Sequence, residues 1–238
     1  MPNFRRYTEK PDNPYRLGRH QVHDALDALP ERQLERALDL LAPVKTVTHF
    51  ETQPVFDQGQ LGSCTANAAL GCLVTEPFAD HVKQGRPFDE QDAVALYQLE
   101  TKLDDSQIPG EYPPDDTGSS GPWSMQALEK EGFISSFTHT RSVHTALVAL
   151  NRGPISIGIP WLESMFQVDG NGNITVDRGS QVAGGHQVCI VADDTARQAV
   201  YVRNSWGTSW GQNGHAWLAW DDLKWLFVQG GDAVQPVL

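Results

Sequence analysis

Apolar positions along the chain fall into two regimes. Leu34, Leu38 and Leu41 recur at the spacing of one helical face behind Pro30-Glu31, and Ala42-Pro43 closes that run. A second helix is predicted from Asp89-Glu90-Gln91-Asp92, with Val94, Leu96, Tyr97 and Leu99 as its apolar members. A third runs from about Trp123 to Glu131 and stops at Gly132, a residue suited to the turn that ends helices. A fourth runs from Ser142 as its cap to Leu150, ahead of Gly153-Pro154. After Pro154 the period becomes two: Ile155, Ile157 and Ile159 alternate with Ser156 and Gly158. Strand-like runs follow at 187–192, 199–203 and 215–220. The first 150 residues therefore read as mainly helical and the rest as mainly β, an α+β chain with segregated halves. Between the second and third helices, residues 109–122 are rich in Pro, Gly, Ser and Asp and read as a long ordered loop.

Composition narrows the function classes. The 238 residues carry a formal charge of −12 and are 39% hydrophobic, which describes a folded globule rather than a disordered chain. The acidic balance argues against nucleic-acid and anionic-membrane partners. No run approaches the ~20 apolar residues of a membrane span. The first residues lead into no apolar segment of the secretory type, so synthesis in the cytoplasm is expected. Arg5, Arg6, Lys10, Arg16 and Arg19 outnumber Glu9 and Asp12 at the start of the chain. A solvated tail is the plainer reading of this arm, and a basic arm laid on an acidic body is the other.

Three cysteines exclude a disulfide framework and raise the question of their use. Cys64 follows Gly59, Leu61, Gly62 and Ser63 and opens an Ala- and Leu-rich helix. Free N–H groups and the helix dipole at such a position favour a thiolate, the nucleophilic form. Cys72 and Cys189 read as small buried hydrophobes. A thiolate needs a partner base, and His186, behind Gly184-Gly185 and ahead of a strand, is the best placed of the eight histidines. Were the hairpin symmetric about residue 195, Asn204 would stand directly opposite His186 and its amide oxygen would accept from the imidazole Nδ1–H. His20, His23, His139 and His144 read as surface histidines, and the Asp pairs at 104–105, 115–116, 193–194 and 221–222 as turns and helix starts. Asp169 to Asp177 reads as a glycine-rich hairpin turn rather than a calcium loop, because Ile174 stands where glycine is needed. No metal or cofactor is expected.

The order Gln, Cys, His, Asn resembles the papain-like cysteine proteases. The strongest piece is the run from Asn204 to Gly214, which fills the pattern N-S-W-G-x-x-W-G-x-x-G. Gln58-Gly59 before Gly62-Ser63-Cys64 is the second piece and Gly185-His186 the third. The stretch DQGQLGSCTANA is most similar to the bacterial and bacteriophage branch of that family. The resemblance implies a two-lobed α+β fold, a helical lobe followed by an antiparallel β lobe, with the site in the cleft between them. The lobes would span about 55–150 and 151–230 of a peptidase domain at 46–238. Residues 1–45 would be an extension, an arm plus an amphipathic helix, and a candidate prosegment able to inhibit the domain.

By the same resemblance Cys64 would be the nucleophile, His186 its acid–base partner, Asn204 the residue that orients His186, and Gln58 an oxyanion donor. Trp206 would shield the His–Asn hydrogen bond. Gly62, Ser63, Ser119, Ser120 and Gly185 would meet a peptide or protein substrate, and Pro122, Gly158 and Gly185 would lie near its second side-chain subsite. The expected activity is peptide-bond hydrolysis through an acyl-thioenzyme. An acyl transferase, peptide ligase or cell-wall amidase would use the same nucleophile, and a virion or binding protein could reuse the fold. Four departures from the family pattern stand out, one being that residues 1–50 carry no long prosegment signature, so that either no zymogen exists or the helix near 30–42 blocks the cleft by other means. Leu61 replaces a disulfide cysteine, Thr65 replaces the tryptophan after the nucleophile, and Ser119-Ser120 replaces the Gly-Gly of the peptide-binding segment.

Overall fold

The computed structural model describes residues 4–5, 9–22, 42–81, 86–104 and 108–238. The helix predicted at 30–42 falls outside them except for its last residue, and His23 is also outside.

Helix α1 (Cys64–Leu73) is buried along its whole length. Its side chains are small, Ala, Gly, Cys and Thr among them, so neighbours can approach from every side. Gly71 faces Cys189 so closely that a Cβ would sit 3.2 Å from that residue's own. Helix α2 (Glu90–Leu103) starts where predicted: Asp89 caps the backbone N–H groups of Gln91 and Asp92, and the Asp92 carboxylate returns to the Asp89 N–H. Helix α3 (Gly121–Lys130) begins two residues before the expected Trp123, with Pro122 in its first turn. Gly132 follows it at φ +78°, as the stop signal required. Helix α4 (Val143–Leu150) is capped by Ser142, whose Oγ accepts from Thr145 N at 3.2 Å. Leu70, Leu73, Tyr97, Met125 and Leu128 form the core of this helical side.

The other side is an antiparallel sheet. Strands β4 (Ser136–Thr140), β5 (Ile155–Leu162), β6 (Val182–Asp194), β7 (Ala199–Arg203), β8 (His215–Ala219) and β9 (Asp232–Val237) lie in the order β4-β9-β5-β6-β7-β8. The short β3 (Val47–Thr48) also pairs with β6. Ile157, Ile159, Trp161, Val188 and Leu218 fill its core. β5 is buried on both faces, because β9 and β6 flank it and packed layers cover it, so its alternation does not mark a solvated face. Three elements depart from the predicted pattern. β4 and β9 were not expected, and the last predicted strand stops at Ala219, where helix α5 (Trp220–Val228) begins with Asp221 and Asp222 in its first turn.

Cys72 and Cys189 meet at the seam between α1 and β6, their sulfurs 3.6 Å apart and both thiols free. The described part of the N-terminal arm, residues 4–5 and 9–22, is not a solvated tail. β1 (Phe4–Arg5) pairs with β2 (Gln21–Val22), and between them Leu17, Arg19 and His20 are buried against the body. Lys10 pairs with Glu163, Arg16 with both Glu9 and Asp116, and Arg19 with Asp232. The histidine and Asp-pair expectations need matching corrections. His20 is buried, His139 bonds Asp232 at 3.2 Å, and Asp193 is buried under Trp220, whose Nε1 donates to it. His144 is exposed, as expected. The 169–177 stretch is the expected turn, with Asp169 Oδ1 accepting from the N–H groups of Asn171 and Asn173.

Candidate active site

Cys64 is the first residue of α1 and is fully buried. Burial pushes its thiol well up, and a hydrogen bond from the Gln187 backbone, which pulls the other way, is the smaller effect. The helix terminus alone would favour the thiolate; in this closed state desolvation wins.

His186 on β6 is also fully buried. Its Nε2 faces Asn204 Oδ1 at 2.8 Å. The same oxygen accepts from Ser205 N at 2.8 Å, which fixes the orientation of the amide. An amide oxygen only accepts, so Nε2 carries the proton in the neutral ring and Nδ1 is left with a lone pair. This corrects the expected Nδ1–H donor. Nδ1 has no hydrogen-bond partner among the described residues. Burial lowers the imidazole to about 4, against the smaller opposing effect of Asn204. Trp206 stacks on the ring at 4.6 Å and 19°, and Trp161 meets it edge-on at 4.9 Å.

The assumed hairpin register is wrong, although the contact it suggested exists. Cys189 pairs with Arg203 and Ile190 with Val202, then the register shifts before Ala192 pairs with Tyr201. Continued past Arg203, this register would bring Asn204 opposite Val188, two residues from His186. The pair is therefore diagonal, a separation that long side chains can bridge. β7 has ended by then, and Asn204 N bonds Gly214 O instead.

Gln58 joins the two lobes: its Oε1 accepts from Ser205 Oγ at 2.6 Å and its backbone N–H donates to Ser205 O. Its Nε2 faces the carbonyls of Leu61 (2.9 Å), Arg16 (3.2 Å) and Leu17 (3.4 Å). Trp206 Nε1 also donates to Arg16 O, at 3.2 Å. Residues 16–20 therefore run through the cleft as an extended strand. Gly18 N and Arg19 N donate to Gly185 O at 3.2 and 2.9 Å. His20 N donates to Ser119 O at 2.7 Å, and Ser119 N donates to Gly18 O at 3.0 Å, a parallel bridge. Serine at position 119 thus permits the backbone approach for which the family's glycine would serve. Gly62 lies directly under Gly18, where a Cβ would come within 2.2 Å of Gly62 O. Ser63 and Ser120 are buried and share no described hydrogen bond with the segment; Ser63 holds the Asn67 side chain instead. Thr65 donates from Oγ1 to the buried Glu100 at 2.8 Å, a polar contact behind Cys64.

Two residues at the site carried no sequence signal. Asp116, one of a pair read as a turn, accepts from Gly62 N, from Tyr97 OH at 2.7 Å and from the Arg16 guanidinium. Tyr15 stacks on the outer face of Trp206 at 4.5 Å and 9°, so that Trp206 lies between it and His186.

The model for papain family cysteine proteases matches residues 124–224, a stretch that holds His186, Asn204 and Trp206. The chain is 28% identical over 186 residues to the gamete and mating-type specific protein A of Dictyostelium discoideum, covering 71% of this chain and 40% of that protein. It is 24% identical over 213 residues to an uncharacterised peptidase C1-like protein of Acanthamoeba polyphaga mimivirus, covering 72% of this chain and 66% of that one. It therefore spans less than two thirds of either relative. Among solved structures, xylellain, a cysteine protease from Xylella fastidiosa, superposes with a TM-score of 0.70 at 19% identity, over 98% of this chain and 100% of that one. Together with the helical side, the antiparallel sheet and the cleft between them, these matches show that the chain has a papain-like fold and that residues 124–224 are similar to the papain family of cysteine proteases.

Proposed function

We propose that the chain is a cysteine endopeptidase held in a self-blocked form. The observation that carries this reading is the chain's own backbone, bonded to Ser119 on one wall and Gly185 on the other, above a buried Cys64 and His186. With the segment displaced, water re-enters, and the thiol proton passes to His186 Nδ1, whose lone pair is free to take it. The Cys64 thiolate attacks a peptide carbonyl carbon. The developing oxyanion is held by Gln58 Nε2 and the Cys64 N–H, the first of which already meets main-chain carbonyls. The imidazolium then protonates the leaving amine, and water hydrolyses the thioester. Asn204 keeps the ring turned, and Trp206 keeps water from that bond. Residues 46–238 would form the catalytic domain, with the preceding 45 as its inhibitor.

In the closed state the thiol is held up and the imidazole down, so the reactive ion pair does not form. The test is peptide cleavage by the full chain, before and after mild acid treatment, beside Cys64→Ala. Cleavage that rises on treatment and vanishes in the variant is expected. Labelling of Cys64 by a thiol probe without cleavage of any peptide in a random library would overturn the reading.

A further inference from the structure

The segment in the cleft does more than lay backbone across it. Arg19 turns its side chain out of the ladder and into the β side, where the residue is 3% exposed. Its Nη2 donates to Asp232 Oδ1 at 2.8 Å and to Gly230 O at 3.2 Å. Asp232 is buried too, and its other oxygen meets His139 Nε2 at 3.2 Å. Burial alone would raise this carboxyl, but Arg19 and His139 bring it down to about 2.

The walls are built for such a guest. Gly158 on β5 pairs with Asp232 on β9 and with Gln187 on β6, so the three stand in one row across neighbouring strands. A Cβ on Gly158 would lie 2.0 Å from Arg19 Nε and 2.5 Å from Gln187 Oε1, so the missing side chain is what leaves the pocket open. Gln187 Oε1 is buried and has no hydrogen-bond partner among the described residues, and neither have Nε and Nη1 of Arg19. The pocket thus holds a carboxylate, a backbone carbonyl and one spare amide oxygen, all acceptors. A guanidinium, with five donors in a plane, can use all three, whereas an ammonium is a point charge. An aliphatic guest would leave Asp232 buried beside His139 alone, which is costly.

The pocket also has a fixed place relative to the chemistry. Leu17 O lies 3.4 Å from Gln58 Nε2, the expected oxyanion donor, and Arg19 is two residues further along the same strand. The backbone bonds to Ser119 and Gly185 would accept any sequence, so side-chain selection falls to this pocket. Taking the peptidase reading as its base, we propose that the Asp232 pocket binds an arginine side chain of the substrate, two residues from the bond that is cut. The inhibitory segment then uses the same recognition through Arg19.

Two assays test this on the full chain with Arg19→Ala, which empties the pocket. In the first, peptides spanning residues 14–22, with Arg or Leu at the nineteenth position, compete with iodoacetamide for Cys64. The Arg peptide is expected to protect at a concentration at least tenfold lower. That advantage should shrink to less than threefold when Asp232→Asn is added. Gly158→Ala, which fills the pocket without touching the charge, should do the same and covers the case in which Asp232→Asn does not fold. In the second, internally quenched peptides carrying Arg or Leu at each position are compared, and Arg two residues from the cut is expected to raise kcat/KM at least tenfold. Equal protection by the two peptides, or an advantage that survives both substitutions, overturns the pocket assignment. Selective protection without cleavage of any peptide would overturn the peptidase reading and leave the pocket standing. Cleavage with no preference at that position would do the reverse.

Discussion

The substitution Gly18→Ala isolates the contact that holds the cleft closed. Gly18 adopts φ +142°, and a Cβ there would stand 2.2 Å from Gly62 O and 2.6 Å from Gly62 Cα. Both walls of that contact are backbone, so no side chain can swing aside. The unfavourable φ alone costs about 1–3 kcal/mol in a non-glycine residue, and the clash adds to it. The cost falls only on the closed state, because the displaced segment can adopt any backbone conformation. The closed-to-open equilibrium should therefore shift by at least about 5- to 150-fold. The assay is the rate of Cys64 alkylation in the full chain, followed by mass spectrometry, with the same rise expected in peptide hydrolysis. Gly132→Ala is the control: its φ is +78°, yet nothing lies within 4 Å of the added carbon and it is remote from the cleft. It should lower the melting temperature and leave the labelling rate unchanged. If Gly18→Ala labels no faster than the parent chain, the segment does not gate the thiol and the self-blocked reading is wrong.

Other outcomes follow from the same geometry. Asp116→Ala removes the acceptor shared by Gly62 N, Tyr97 OH and Arg16, so labelling of Cys64 should quicken and thermal stability fall, the latter by about 1–3 kcal/mol. Asn204→Ala leaves the Nε2–H of a buried imidazole without its acceptor, which should lower Tm by about 2–4 °C per kcal/mol lost and abolish most activity; an unchanged kcat would remove Asn204 from its orienting role. Gln58→Ala should reduce kcat by about 100- to 1000-fold while KM moves little. Burial holds His186 at about 4 in the closed chain, against 6.5 in water. Between those values the open state binds a proton that the closed state does not, so falling pH favours opening, by up to about tenfold per unit. Glu9, raised by its own burial, works against this. Amide-exchange protection at Arg19 and His20, corrected for intrinsic rates, should fall with pH over that window and lose most of its slope in His186→Gln.

What was legible in the chain was local. Asp89 and Ser142 cap their helices through bonds spanning two or three residues, so the starts of α2 and α4 could be read directly. β9 hid because Pro236 interrupts a short run, and proline speaks against a strand. α5 hid because Trp220 is apolar, like the strand before it, so the change of period had no marker. At the candidate site, motif order singled out Gln58, Cys64, His186 and Asn204, although the proposed register was not the true one. Asp116, Tyr15 and Asp232 were not, since a lone acid or tyrosine in a loop or at a strand start says nothing of what will face it.

The protonation states show the division best. The sequence alone determined that a thiol stands at a helix start, that a histidine sits on a strand behind two glycines, and that an asparagine follows within reach. From the helix dipole, that thiol would ionise easily. Only the tertiary structure brought residues 16–20 into the cleft and buried Cys64 and His186, and that burial raises the thiol and lowers the imidazole. The same packing gave the arm's arginine a buried carboxylate 213 residues away. Helix caps depend on neighbours a few residues apart and survive in any fold, whereas solvation depends on everything that comes close in space, which no local pattern records.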